Sequence, residues 1–193
     1  MQSFPVLLVR HAPVLLPDGV CYGRQDVALR PGWEKIVSGL SVLAKGAVCR
    51  VLYSSPSRRC REMAQRLAQA TGMELRVDPR LSELDFGQWE GVRWQDIERR
   101  LLDEWAKDPS AFAPPQGESG HALCRRTTDF WQDMHHRGEP ACVLSHGGPL
   151  RILSALAAGQ PPELLAPSIP QGFARLFMVE QAARTALPCA CAG

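Results

Sequence analysis

Long apolar runs are missing from this chain. No segment approaches the ~20 consecutive apolar residues of a membrane-spanning helix, so no membrane partner is expected. Lysine is scarce (Lys35, Lys45 and Lys107), which leaves arginine to carry nearly all the positive charge. The net charge is only +2 over 193 residues. That is too little for bulk attraction to nucleic acid, but a planar guanidinium fork suits an oxyanion site. The 7 cysteines (Cys21, Cys49, Cys60, Cys124, Cys142, Cys189 and Cys191) are odd in number and scattered. They form no disulfide framework and no zinc-ligand spacing, so no metal is expected and a reducing compartment is. Cys189-Ala-Cys191 reads as part of a frayed tail. No basic n-region precedes the first apolar run, so no secretory signal is expected and the cytoplasm is the expected location. Repeats, low-complexity tracts and internal boundaries are lacking too. Residues 1–193 are expected to be one domain, weakly ordered after about residue 180.

What is present is an alternation of short apolar runs and helical stripes. Val6 to Val9 is continuously apolar, as in a strand covered on both faces. Pro17-Asp18-Gly19 and Tyr22-Gly23 make 15–30 a loop. Trp33, Ile36, Val37, Leu40 and Leu43 recur at helical spacing. Residues 50–53 read as a second strand. Ser54-Ser55-Pro56-Ser57 is expected to cap a helix whose apolar stripe is Cys60, Met63, Ala64, Leu67 and Ala68. Gly72 ends it, and 73–77 form a third strand. Helices are expected near 94–102 and from 119 to about 136. The Pro-rich connection 108–116 between them stands out from the core and is a candidate substrate cover. A fourth buried strand at 141–145, a helix at 149–158 and a last strand at 173–179 complete the pattern. The expected fold class is α/β, a three-layer α/β/α sandwich around a mostly parallel central sheet.

Two of the strands end in histidine. Arg10-His11 follows the first, and His146-Gly147-Gly148 follows the fourth. Open α/β sheets place ligands at the carboxyl ends of their strands. Arg59 lies in the first turn of a helix, where free N–H groups attract anions. Arg10, Arg59 and a helix end together favour a dianionic tetrahedral group such as phosphate. A neutral imidazole among them can attack phosphorus. The other can donate to a phosphoryl oxygen, and phosphate favours its charged form. Glu83, set between Ser82 and Leu84, is the candidate acid; partial burial beside phosphate is expected to keep its proton in place. Asp85 and Glu90 read as turn or cap groups. His121, His135 and His136 read as exposed helix residues. Trp33, Trp94, Trp105 and Trp131 fit helix-face packing, while Trp89 fits packing and substrate contact equally.

These segments resemble the histidine phosphatase superfamily, which includes the cofactor-dependent phosphoglycerate mutases. Leu8-Val9-Arg10-His11-Ala12 is similar to the family's L-V-R-H-G. Residues 54–64 are similar to S-S-P-L-x-R-A-x-E-T-A, residues 81–91 to L-x-E-x-D-F-G-x-W-E-G, and Ser145-His146-Gly147-Gly148 to the late S-H-G-G. The resemblance implies a phosphoglycerate mutase-like fold. It implies His11 as the phosphorylated nucleophile, Glu83 as acid and then base, and Arg10, Arg59 and His146 as phosphoryl-binding catalytic groups. Tyr22, Gly23 and Gly147 would contact phosphate or substrate. Arg59 is preferred to Arg58 because the family's arginine sits three positions after proline; Arg58 and Arg61 read as helix-face residues. Ala12 stands where the family carries glycine, and Gln116 stands where a glycine often precedes Gly117-Glu118-Ser119.

The implied reaction is hydrolysis of a small-molecule phosphomonoester, with no metal or other cofactor. The mutases carry an inserted basic segment that is not evident after Gly91, so hydrolysis is preferred to transfer. Cys21-Tyr22-Gly23-Arg24-Gln25-Asp26-Val27-Ala28-Leu29 is similar to the C-Y-G-R-x-D-V-x-L stretch of α-ribazole phosphatases. That implies removal of the 5′-phosphate of α-ribazole 5′-phosphate in cobalamin biosynthesis, with Tyr22, Phe86 or Trp89 as a stacking surface. The alternatives are a broad-range sugar or nucleotide phosphatase of the same superfamily, and a phosphate-ligand binding or regulatory protein without turnover.

Overall fold

The computed structural model describes residues 3–181. The tail expected to be weakly ordered, with Cys189 and Cys191, lies outside the described residues. The strands are β1 (Ser3–Arg10), β2 (Val51–Ser54), β3 (Glu74–Val77), β4 (Ala141–Ser145) and β5 (Ala174–Glu180). The α-helices are α1 (Trp33–Gly46), α2 (Arg58–Thr71), α3 (Arg99–Lys107), α4 (Gly120–Arg137) and α5 (Gly147–Ala157). Among the described residues the strands form one sheet in the order β3-β2-β4-β1-β5. β1, β2, β3 and β4 pair in parallel, and β5 lies antiparallel on β1.

Strand side chains alternate between two buried faces. Val6 and Leu8 of β1, Val51 and Tyr53 of β2 and Val143 of β4 meet Phe130, Trp131, Leu150 and Leu153 from α4 and α5. Leu7, Val9, Leu52, Cys142 and Leu144 meet Val37, Leu40, Met63 and Leu67 from α1 and α2. The continuous apolar runs follow from this double cover. β1 hands the chain to the α1/α2 face and its neighbour β4 hands it to the α4/α5 face. The crevice outside their carboxyl ends is therefore the topological switch point, where α/β sheets hold ligands.

Three local expectations need correction. The helix expected near 94–102 is split. Trp94–Asp96 is a single 3₁₀ turn, Ile97 is extended, and α3 begins only at Arg99. Tertiary packing overrides helical spacing here: Ile97 is buried against Cys21 and Trp89, and the Trp94 N–H donates to the Gly19 carbonyl. Ser57 occupies the N-cap position of α2 but makes no capping hydrogen bond. Asp26 accepts from the Arg58 N–H instead, at 3.1 Å, which frees the Ser57 hydroxyl to face His146. His135 is not simply exposed: it stacks on Trp131, and its Nε2 donates to the Glu180 carbonyl.

The Pro-rich connection packs back onto the Glu83-bearing segment. Phe112 stacks on Trp89, the Gln88 N–H donates to the Pro115 carbonyl, and Glu118 N–H to that of Asp85. Gln116 pays for this path with a left-handed backbone, φ 60°. Ala12 does not share the problem, because Val48 and Gln116 are the positive-φ non-glycine residues among those described. Relief of left-handed strain (~1–2 kcal/mol) outweighs the added chain entropy of glycine (~0.5–1 kcal/mol). Gln116→Gly is expected to stabilise the protein by about 0.5–1 kcal/mol, read as a higher urea midpoint; a lower midpoint contradicts the strain.

Candidate active site

His11 follows β1 directly and is buried. Its backbone N–H donates to the Ser145 carbonyl, which ties the end of β1 to that of β4. Its Nδ1 lies 2.8 Å from the Ala12 carbonyl. A carbonyl only accepts, so Nδ1 carries the proton and Nε2 keeps a free lone pair. Burial, with Arg59 and Arg10 nearby, pushes the imidazole down to about 3. A neutral ring with an unprotonated Nε2 is the form that a nucleophile requires.

His146 is the N-cap residue of α5, fully buried, with its ring centroid 5.2 Å from that of His11. Its Nδ1 is 3.0 Å from Arg59 Nη2. A guanidinium cannot accept, so Nδ1 is the bare nitrogen and Nε2–H donates to Ser55 Oγ at 2.7 Å. Burial first, then Arg59, His11, Arg10 and Arg126, hold its pKa well below the usual histidine value. Donation from Nε2 to a phosphoryl oxygen thus requires that oxygen to replace the Ser55 hydroxyl.

Arg59 is fully buried. Its Nη1 donates to the Gln25 carbonyl at 2.8 Å and Nη2 to that of Gly23 at 2.7 Å. Its guanidinium lies over the Tyr22 ring at 5.2 Å. Arg10 Nη1 donates to the Ile169 carbonyl at 3.0 Å. The Nε–H of each arginine is buried without a partner. A buried orphan donor costs about 1–3 kcal/mol, and here two belong to cations flanking the same imidazole pair. Arg58, by contrast, is exposed and pairs with Glu62.

Glu83 reaches the same crevice from the segment after β3. Its Oε1 accepts from the Leu84 and Gly148 N–H groups, each at 3.0 Å, which fixes the carboxyl group at the start of α5. A Cβ on Gly148 would run into that carboxylate. Gly147 lies against the Arg10 guanidinium and accepts from the Ser168 hydroxyl through its carbonyl. Tyr22 lies 6.4 Å from His11 and accepts from Gln171 Nε2 at 2.7 Å. All eight residues singled out in the sequence therefore gather at one end of the sheet. Trp89 is packing: it is 4% exposed and stacked on Phe112. Trp94 and Trp105 are more than packing, since both line a cavity that opens beside Glu83.

Several supporting residues hold these loops in place. Glu90 accepts from the Arg24 and Phe86 N–H groups with Oε1 and from the Gln25 N–H with Oε2, stapling the Tyr22-Gly23 loop to the Glu83 segment. Gly23 has to be glycine because a Cβ would strike that carboxylate. Arg126 donates to the carbonyls of Arg80, Ser82 and Glu83 and pairs with Glu118. Glu118 stood in a motif, but nothing local pointed to Arg126 or Gln171. Among the described residues, no three His, Cys, Asp or Glu side chains gather as metal ligands, and no helix is long and apolar enough to cross a membrane.

The sequence profile of the histidine phosphatase superfamily (branch 1) matches residues 6–183. A bifunctional protein of Mycobacterium tuberculosis is 31% identical over 159 residues, 79% of this chain but 43% of the relative, so the chain spans under half the length of that protein. A glucosyl-3-phosphoglycerate phosphatase of the same organism is 30% identical over 172 residues, covering 80% of this chain and 75% of that one. Phosphoserine phosphatase 1 of Hydrogenobacter thermophilus is 26% identical over 160 residues, 80% and 76% of the two chains. The crystal structure of the α-ribazole phosphatase from Shigella flexneri superposes with a TM-score of 0.80 over 94% of this chain and 96% of that one, at 20% identity. That likeness supports the fold.

Both imidazoles are neutral in the fold, whereas the unfolded chain protonates them below the usual 6.5. The unfolded state then binds more protons, so their contribution is full above about pH 6.5 and is lost as pH falls. Each histidine is expected to remove about 1 kcal/mol of stability per pH unit between about pH 6 and 5. Urea unfolding at the two pH values measures this, and His11→Asn should flatten the slope by one histidine's share; an unaltered slope contradicts a neutral buried His11. Arg126→Ala is expected to destabilise by about 1–3 kcal/mol, since it removes the closer of the two arginine partners of Glu118 and strands the Arg80 and Ser82 carbonyls; a loss under about 0.5 kcal/mol in the same assay rules out the clamp.

Proposed function

Because the chain belongs to the histidine phosphatase superfamily, we propose that it is a single-domain phosphomonoester hydrolase working through a phosphohistidine at His11. The observation that carries this reading is the bare Nε2 of a buried neutral His11 between two arginines whose Nε–H groups have no acceptor. A phosphoryl group supplies those acceptors. His11 Nε2 attacks phosphorus in line, the P–O bond breaks, and the leaving oxygen takes the Glu83 proton. Glu83, now a carboxylate, removes a proton from water. The water oxygen attacks phosphorus, and the P–N electron pair returns to Nε2. Arg10, Arg59 and His146 hold the equatorial oxygens through both steps, by preorganised electrostatics.

The finer reading is hydrolysis of α-ribazole 5′-phosphate, a step of cobalamin biosynthesis. It is supported by the resemblance of residues 21–29 to the α-ribazole phosphatase stretch. A second reading, a phosphatase for sugar phosphates or phosphorylated hydroxy acids, is favoured by the 30% identity to a glucosyl-3-phosphoglycerate phosphatase.

His11→Ala is expected to lower kcat by at least about 10³-fold and to abolish acid-labile phosphate labelling. Turnover and labelling that survive in this variant refute the nucleophile. Comparing kcat/KM for α-ribazole 5′-phosphate, glucosyl-3-phosphoglycerate and phosphoserine decides the substrate. A preference of about tenfold or more for the first supports the cobalamin step; no preference favours the second reading. Tight phosphate binding without release of phosphate from any of them leaves the binding-protein alternative.

A further inference from the structure

The sequence offered Tyr22, Phe86 and Trp89 as a surface for the part of the substrate that leaves. Trp89 is buried under Phe112, and Tyr22 lies beneath Arg59 with its hydroxyl held by Gln171. A different space adjoins the acid. A cavity of about 210 Å³ begins at Glu83 and Gly148 and runs between Phe86, Trp94, Trp105 and Leu164. The leaving oxygen has to lie within reach of Glu83, and this cavity is a space beside that residue that can receive the group attached to it.

Size and lining restrict that group. A cavity of about 150 Å³ with apolar walls suffices for benzene, so this one takes a single ring or a small fused pair. Trp94 and Trp105 stack at 6.0 Å with 22° between their planes, and Phe86 stands edge-on to Trp94 at 5.3 Å. Aromatic walls of this kind favour a flat ring by offset or edge contact. One cation faces the same space. Arg151 lies one turn beyond Gly148 on α5, three positions along and hence on the same helix face. Its Nε donates to the Ala166 carbonyl at 2.6 Å. No carboxylate lies within ion-pair distance of it among the described residues. Its Nη donors are left for an acceptor in the cavity it lines.

We infer that this cavity is the leaving-group site and that it selects phosphomonoesters of alcohols bearing a flat aromatic or heteroaromatic ring system, with Arg151 as donor to an acceptor atom on it. The inference rests on the hydrolase reading above. Ethyl, benzyl and pyridin-3-ylmethyl phosphate test it, because the three share a primary alkoxide leaving group. The wild-type protein is expected to show kcat/KM at least about tenfold higher for benzyl than for ethyl phosphate, from burial of the ring. The pyridyl ester should exceed the benzyl ester by about fivefold, from one hydrogen bond. Leu164→Trp, which fills the cavity, should bring the benzyl-to-ethyl ratio near one, and Arg151→Met should erase the pyridyl-to-benzyl difference. Equal rates on ethyl and benzyl phosphate in the wild-type protein overturn the ring site. A pyridyl preference that survives Arg151→Met overturns the role of Arg151. Hydrolysis of none of the three esters overturns the hydrolase reading itself, and this inference with it.

Discussion

Two guanidinium groups and two imidazoles share one crevice, where burial first and then the positive charge of the first pair keep the second pair unprotonated. Burying an ion costs several kcal/mol unless its surroundings replace water. The replacements here are backbone carbonyls: those of Gly23 and Gln25 for Arg59, of Ile169 for Arg10 and of Ala12 for His11. Carbonyls satisfy hydrogen bonds without cancelling charge. The crevice therefore keeps a net attraction for an anion and two Nε–H donors to hold it. Burial keeps both histidines neutral and the guanidinium charge adds to it, so the same buried cations contribute to the nucleophile's protonation state and to the attraction for phosphate.

That arrangement depends on topology. Arg10 and His11 end β1, Ser145 and His146 end β4, and the two strands are parallel neighbours in register, Arg10 opposite Ser145. β2 lies on the other side of β4, so the turn after Ser54 delivers Ser55, Ser57 and Arg59 to the same end. Helices leave β1 and β4 toward opposite faces, which opens the space between them. The shared plane of strand ends brings together residues more than a hundred positions apart.

A ring of polar staples then aligns the loops on this scaffold. Glu90 joins the Tyr22-Gly23 loop to Phe86, while Arg24 bridges to Asp85 and Glu118. Arg126 grips the carbonyls around Glu83. Glu90 is thus the loop organiser that its place beside a turn suggested, and Asp85 likewise receives the Gly87 N–H. The acid sits on an irregular segment, and such segments need side-chain partners to hold one geometry. The strained φ at Gln116 belongs to the connection that packs onto this segment.

Much of the site was legible in local pattern. Buried strands announced themselves by continuous apolar runs, and the residues at their carboxyl ends followed. Register within the motif separated Arg59, which is fully buried, from exposed Arg58. Local spacing read less well where long-range packing decides. Trp94 lies in a helical-looking stretch, yet Ile97 breaks the helix to reach Cys21, and Trp94 turns toward the cavity with Trp105. Ser57 looked like a cap until Asp26 took that task. The order of residues along the chain determined which strands form and which chemical groups stand at their ends, because periodicity and turn chemistry act over a few neighbours. Only the tertiary structure decided which nitrogen of each imidazole carries a proton, which arginine donors lack partners and where Arg151 faces, because those depend on atoms brought together from distant parts of the chain.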